Sequence, residues 1–227
     1  MHSVYKSKAI QLRKQGLTYT EIAVQVPVSR ATLSLWLRDV PVPDSYAPKI
    51  QALKMKAVKA GWEARRNDRL ARIESIKLAA KSEVKVYSLD PLWLVGLTLY
   101  WAEGSKEKSW SKGVLVTFTN MDEKTISLFK KWCIQFLHTT EDDFAYSLYL
   151  HESRESDALQ FVEWWGELLS VPTISIPVYY KRTKITHVRH NDADGYRGVF
   201  RLQVKRSVDK NRKIAAWIEY LAESLNT

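Results

Sequence analysis

Residues 18–37, TYTEIAVQVPVSRATLSLWL, decide how the N-terminal part of this chain folds. Thr18 and Glu21 have the spacing of a capping box, in which a hydroxyl and a carboxylate each satisfy a backbone N–H at a helix start. Ile22 and Ala23 are expected to face inward, Ala23 being small enough for a second helix to cross closely. Gln25-Val26-Pro27-Val28 supplies a turn, because Pro27 cannot continue the first helix. Ser29 is a good N-cap, and Leu33, Trp36 and Leu37 recur behind it at helical spacing. An upstream amphipathic segment, residues 4–15, is closed by Gly16 and would be the scaffold helix. The pattern predicts a helix-turn-helix whose second helix turns Arg30, Ala31, Ser34 and Leu35 outward, with Thr32 beside them. From such positions a recognition helix reaches base edges. The expected partner is double-stranded DNA, contacted by Ser29, Arg30, Ala31, Thr32 and Ser34. A three-helix domain that binds protein is the competing reading, since a fold alone does not fix a function.

Charge agrees with a polyanionic partner. The 227 residues hold 35 Lys or Arg against 25 Asp or Glu, a formal net charge of +10. That balance does not separate DNA from RNA or anionic lipid. The one cysteine, Cys133, excludes an intramolecular disulfide and a cysteine-rich zinc site. It sits among Phe129, Trp132 and Phe136 and reads as a buried structural thiol. No apolar run has the length of a membrane span and the N-terminus lacks a signal-peptide core, so no membrane association and a cytoplasmic location are expected. The nine tryptophans fall mostly at amphipathic positions and read as core or interface.

The fold class expected is α+β. Residues 1–47 form the all-α helix-turn-helix, ended by the proline-punctuated stretch 39–44. Residues 48–89 read as a basic helical linker, one long helix or two shorter ones, with eleven Lys or Arg against four Asp or Glu over 49–85. Val58, Trp62, Leu70, Ile73, Ala80 and Val84 mark a broken apolar stripe along it. Lys54, Lys56, Arg65 and Arg66 are its candidate phosphate contacts; a solvated helix face packed on the next domain explains the same charges. Residues 90–227 form a mixed α/β domain. It opens with an apolar helix over 91–104, capped by Asp90 with Pro91 at its first position. A strand over 114–119, a helix over 122–138, an alternating strand over 144–150 and a helix over 156–169 follow. Strands over 174–184 and 196–205, joined by a polar loop ending in Asp194-Gly195, read as a long-looped hairpin before a final helix over 209–225.

Within that domain LVGLTLYWAEGSK, followed by TFTNMDEKTISLFKKW, resembles a single-motif LAGLIDADG domain. The matching positions are Glu103-Gly104, closing the apolar helix, and Asn120-Met121-Asp122, ending the strand. The resemblance implies that two such helices pack together, here in a homodimer, and that the strands lie over DNA with Lys181, Arg182, Lys184 and Lys205 among the contacts. In LAGLIDADG endonucleases the acidic residue at the end of the motif helix binds a divalent metal at the scissile phosphate. Glu103 is the position that maps onto this catalytic and metal-ligating role, and Mg²⁺ would be the cofactor. A branch of the superfamily, the sporulation-type regulators, joins a non-catalytic domain of this kind to a helix-turn-helix, in the reverse order. Tyr100 and Trp101 stand where the family has smaller residues and are expected to crowd the helix–helix contact. The reading is therefore a sequence-specific DNA-binding regulator of transcription, with metal-dependent cleavage through Glu103 as the alternative.

Three further constellations carry less. His187 and His190 have metal-ligand types but too few companions for zinc. Residues 190–201 lack the carboxylates that a calcium loop needs at its first and twelfth positions. His151-Glu152 has no nucleophile paired with it by spacing.

Overall fold

The computed structural model describes residues 2–108, 110–182 and 196–225. Among these the chain is α+β, with eight α-helices and a four-stranded mixed sheet. It divides into two compact units, Met1–Arg69 and Leu70–Thr227.

The first unit contains α1 (His2–Lys14), α2 (Tyr19–Gln25), α3 (Arg30–Leu37) and the start of α4 (Tyr46–Tyr87). Its core is Ala9, Ile22, Val26, Leu33 and Leu37, all buried, with Trp36 packed half-buried against them. The capping box forms as expected: Glu21 N–H donates to Thr18 Oγ1 at 3.2 Å, and Thr18 N–H donates to Glu21 Oε2 at 2.7 Å. Gly16 ends the chain's first helical run at φ +84°, a conformation that costs glycine least. Ala23 is exposed, against expectation. The small residue that lets helices approach is Ala9 on α1, because α2 turns Ile22 and Val26 inward and leaves Ala23 on its outer side.

The stretch read as a basic linker belongs to one helix, α4, of 42 residues, with Pro48 in its first turn, where a missing N–H costs least. Its apolar stripe is used only at its C-terminal end. Ala80 and Val84 are buried and Ile73 is half-buried, whereas Val58, Trp62 and Leu70 are exposed. Residues 51–60 are exposed all round.

In the second unit, α5 (Pro91–Glu103), β1 (Thr117–Asn120), α6 (Glu123–Leu137), β2 (Phe144–His151), α7 (Ala158–Leu169), β3 (Val178–Lys181), β4 (Val199–Val204) and α8 (Val208–Leu225) follow in order. Asp90 caps α5 through bonds from the Leu92 and Trp93 amides at 2.8 and 3.1 Å. Strand order is β1-β4-β2-β3, antiparallel except for the parallel β2–β3 pair. β3 and β4 are therefore not a hairpin, as the sequence suggests, but lie on either side of β2. The helix α7 between β2 and β3 is what makes a parallel pairing possible, since parallel neighbours need a long crossover. The first strand also starts three residues later than the β-rich run, at Thr117.

One face of this sheet is the core. Phe118, Phe144, Tyr146, Leu148, Leu150, Phe200, Leu202 and Val204 are buried on alternate positions, beneath Trp93, Trp132, Trp165 and Trp217. The last turns of α4 join through Glu83, which accepts from Trp217 Nε1 at 2.9 Å and pairs with Lys213 at 2.7 Å. Cys133 is fully buried, and burial pushes its thiol well above the ordinary range.

Candidate nucleic-acid interface

In α3 the hydroxyl of Ser29 accepts from the Thr32 amide at 3.1 Å and lies 2.8 Å from Thr32 Oγ1. Both hydroxyls take part in starting the helix and keep further hydrogen-bonding capacity. Leu33 and Leu37 anchor the inner side, which leaves Arg30, Ala31, Ser34 and Leu35 exposed on one outer face. Leu35 is 70% exposed beside Arg30 and Ser34.

Residues the sequence did not single out hold this motif in shape. Lys49 pairs with Glu21 at 2.8 Å and donates to Gly16 O at 3.3 Å. The Lys49 ammonium, followed by the Thr18 amide, draws the Glu21 carboxyl down to about 2. Arg13 lies over the rings of Tyr46 and Tyr19, 4.2 and 4.8 Å from their centroids. A cleft of about 510 Å³ runs beside Arg30, between the start of α2 and residues Tyr46, Ile50 and Leu53 of α4.

Lys54, Lys56, Arg65 and Arg66 are all exposed on α4. They do not share a face. Lys54 and Arg65 stand about three turns apart and project the same way, while Lys56 lies on the side opposite Arg65 at about 100° per residue. One duplex lying along the helix meets only part of the set.

In the second unit the sheet's other face carries half-buried, mostly polar side chains. Arg201 stands between Thr119 and Ser147 in register, and Gln203 between Thr117 and Ala145, with Gln203 Nε2 donating to Thr117 Oγ1 at 3.0 Å. The Arg201 guanidinium sits 4.6 Å from the Tyr149 ring, which stacks on Tyr179 at 5.3 Å. Lys181 is exposed at the edge of this group, 6.0 Å from the same ring. Arg182 leans on Glu152 at 3.5 Å. Lys205 holds the Asp142 carbonyl at 3.0 Å, tying the end of β4. Lys184, His187, His190 and the Asp194-Gly195 turn lie outside the described residues.

Glu103 is the last residue of α5 and is exposed. Among the described residues it forms no ion pair with Lys106 or Lys108; Lys106 instead donates to Gly104 O at 3.2 Å. No group of three or more His, Cys, Asp and Glu side chains forms among the described residues. A divalent ion at Glu103 would draw further ligands from phosphate oxygens, water or a second chain.

Tyr100 does not crowd the outer side of α5, as its size suggests. It points inward, 1% exposed and stacked on Phe129, and its hydroxyl donates to Ser105 O at 2.6 Å while accepting from Asn211. A Cβ at Gly104 would stand 2.3 Å from the Tyr100 ring, which is why the helix must end in glycine there. The outer face that remains carries Val95, Thr98, Trp101 and Ala102, all exposed and none charged.

Comparisons of the chain with family models, with curated proteins and with solved structures give no match. No helix among the described residues is long and apolar enough to cross a membrane.

Proposed function

We propose that this chain is a sequence-specific double-stranded DNA-binding protein of the regulator type, reading bases with α3. The observation that carries the proposal is the outer face of α3, where Arg30, Ala31, Ser34 and Leu35 are exposed at the start of a helix anchored by Leu33 and Leu37. Arginine pairs with guanine in bidentate fashion, and a serine hydroxyl accepts or donates at either base type. The lysines and arginines of α4 add sequence-independent phosphate attraction.

Among the described residues the second unit does not show a LAGLIDADG-like domain, its sheet running β1-β4-β2-β3 with β2 and β3 parallel; what we retain from the resemblance, as a proposal, is pairing with a second copy through α5. Support comes from the helix itself: it is uncharged up to Glu103, yet one side of it is exposed. An apolar helix face left in water is the usual mark of an interface. In a twofold dimer the same patch meets itself, and two α3 helices would address two half-sites. The outer sheet face, with Arg201, Gln203 and Lys181, is proposed as a second surface for the duplex.

Cleavage is the second reading. Because Tyr100 turns inward, nothing bulky but Trp101 guards the outer side of α5, and a second Glu103 could come close. Incubating the protein with a random-site DNA library and Mg²⁺, then sequencing bound molecules and cut ends separately, tests both. A regulator enriches a bound motif without cut ends; an endonuclease yields both; absence of any enriched motif removes the proposal.

A further inference from the structure

The segment between α5 and β1 displays a tryptophan that folding does not use. Trp110 is 80% exposed, more than any other tryptophan among the described residues. Of the two places the sequence suggests for most tryptophans, core or interface, Trp110 does not take the core.

The loop beneath it is pinned. Lys108 and Ser111 exchange both backbone hydrogen bonds at 3.1 Å, and Ser105 N–H donates to Thr117 O at 3.0 Å. Glu107 accepts from the Gly113 amide at 2.7 Å and pairs with the largely buried Arg212 at 3.3 Å. The described residues on either side of Trp110 are thus tied down while its ring is held in water. Ordering beforehand lowers the cost of using that side chain in binding.

Charge around the ring is one-sided. Lys106, Lys108 and Lys112 are exposed, and the Lys108 ammonium lies 5.6 Å from the Trp110 ring centroid. The one carboxylate of the loop, Glu107, is spent on Arg212. A shallow cleft of about 520 Å³ opens beside the ring, over Gly104, Ser105 and Val114. An exposed ring with Lys108 beside it, Lys106 on the same cleft and Lys112 nearby in sequence matches a ligand whose planar rings alternate with phosphates. Bases stack on aromatic side chains whatever their sequence, and wedge residues of this kind enter a duplex at a base step.

We propose that Trp110 stacks against a nucleobase of bound DNA, with Lys106, Lys108 and Lys112 on the flanking phosphates. This rests on the DNA-binding reading above. The loop then adds affinity and distorts the site without choosing its sequence, a division of labour distinct from that of α3.

The test uses the full chain and fluorescence anisotropy with two duplexes of one sequence, the second carrying a single unpaired base. Trp110→Ala is expected to weaken binding about ten-fold, most on the duplex with the unpaired base, while Trp110→Phe keeps most of the affinity. The salt dependence of Trp110→Ala should match wild type, since no phosphate contact is lost; a triple Lys→Gln change at 106, 108 and 112 should flatten it. Unchanged thermal midpoints confirm that the exposed ring was not structural. Equal affinities for wild type and Trp110→Ala on both duplexes overturn this proposal and leave DNA binding standing. A wild type that binds no DNA overturns both. Loss of binding to phosphatidylserine vesicles in Trp110→Ala, with DNA affinity unchanged, assigns the ring to a lipid surface and overturns it as well.

Discussion

A Cβ on Gly96 would stand 2.2 Å from Cδ1 of Trp132, whose indole N–H donates to Trp93 O at 3.1 Å. The indole of α6 therefore occupies the space that any other residue at this point of α5 would fill. This close crossing fixes which side of α5 faces the core and, by the same rotation, which side is left outside. Gly96→Ala is expected to destabilise the second unit by about 1–3 kcal/mol, the usual cost of forcing an extra carbon into a packed core. Chemical denaturation followed by tryptophan fluorescence measures it. A midpoint equal to wild type would show that the crossing has slack.

The Glu21–Lys49 pair makes the contact between α2 and α4 acid-sensitive. The Glu21 carboxyl falls from its ordinary 4.5 to about 2 because the Lys49 ammonium and the Thr18 amide favour its charged form. A lowered acid contributes stability that is fully present above the unfolded value and is lost as pH drops from about 4.5 through 2. Titration of the Glu21 carboxyl carbon by NMR should give a midpoint near 2, moving up towards 4.5 in Lys49→Met. A wild-type midpoint already at 4.5 would mean that the pair is not formed in solution.

Much of this architecture was legible in residue order. Thr18, Glu21, Ser29, Asp90 and Asp122 each cap a helix as local chemistry predicts, because a cap involves residues within one turn of each other. The alternation along Phe144–His151 likewise marks a strand with one buried face. What was not legible depends on partners far away in sequence. Whether β3 pairs with β4 or with β2 is decided by where α7 leaves the chain. Tyr100 turns inward because Asn211, on α8, offers its hydroxyl a donor at 3.1 Å. The exposed face of α3 was legible, and the stack of Arg201, Tyr149 and Tyr179 was not, since it gathers three strands.

Base choice and phosphate attraction should separate by mutation. Arg30→Ala or Ser34→Ala is expected to relax preference at one or two base pairs by about 1–3 kcal/mol. Lys54→Gln should weaken every sequence alike and reduce the slope of log affinity against log salt by about one. Binding profiles on a library of single-base variants read both effects. Identical profiles for the Arg30 and Lys54 variants would dissolve the distinction.

Pairing through α5 predicts that a charge on its outer face breaks the dimer. Trp101→Lys, at a position 45% exposed in the single chain, should leave the fold intact and shift the protein towards monomer in sedimentation. Affinity for an inverted-repeat site should fall with it, while affinity for a half-site stays the same. A wild type that is monomeric both free and on DNA would remove this arrangement.

Glu103 decides between regulator and endonuclease. Its carboxylate ends a helix, where the partial negative charge of the last carbonyls opposes it, so the fold gains nothing from an acid at this point. Glu103→Gln removes the charge, nearly preserves volume, and should leave the thermal midpoint unchanged or slightly raised. As a regulator, wild type cuts no library site with Mg²⁺ or Mn²⁺, and Glu103→Gln binds the selected site with wild-type affinity or better. As an endonuclease, wild type cuts at its selected site with Mg²⁺, and Glu103→Gln loses cutting while keeping binding in Ca²⁺ or chelator. The regulator outcome is the one expected, because Trp101 stands exposed on the side of α5 that would bring two carboxylates together. Specific cutting that disappears with Glu103→Gln would reverse that assignment.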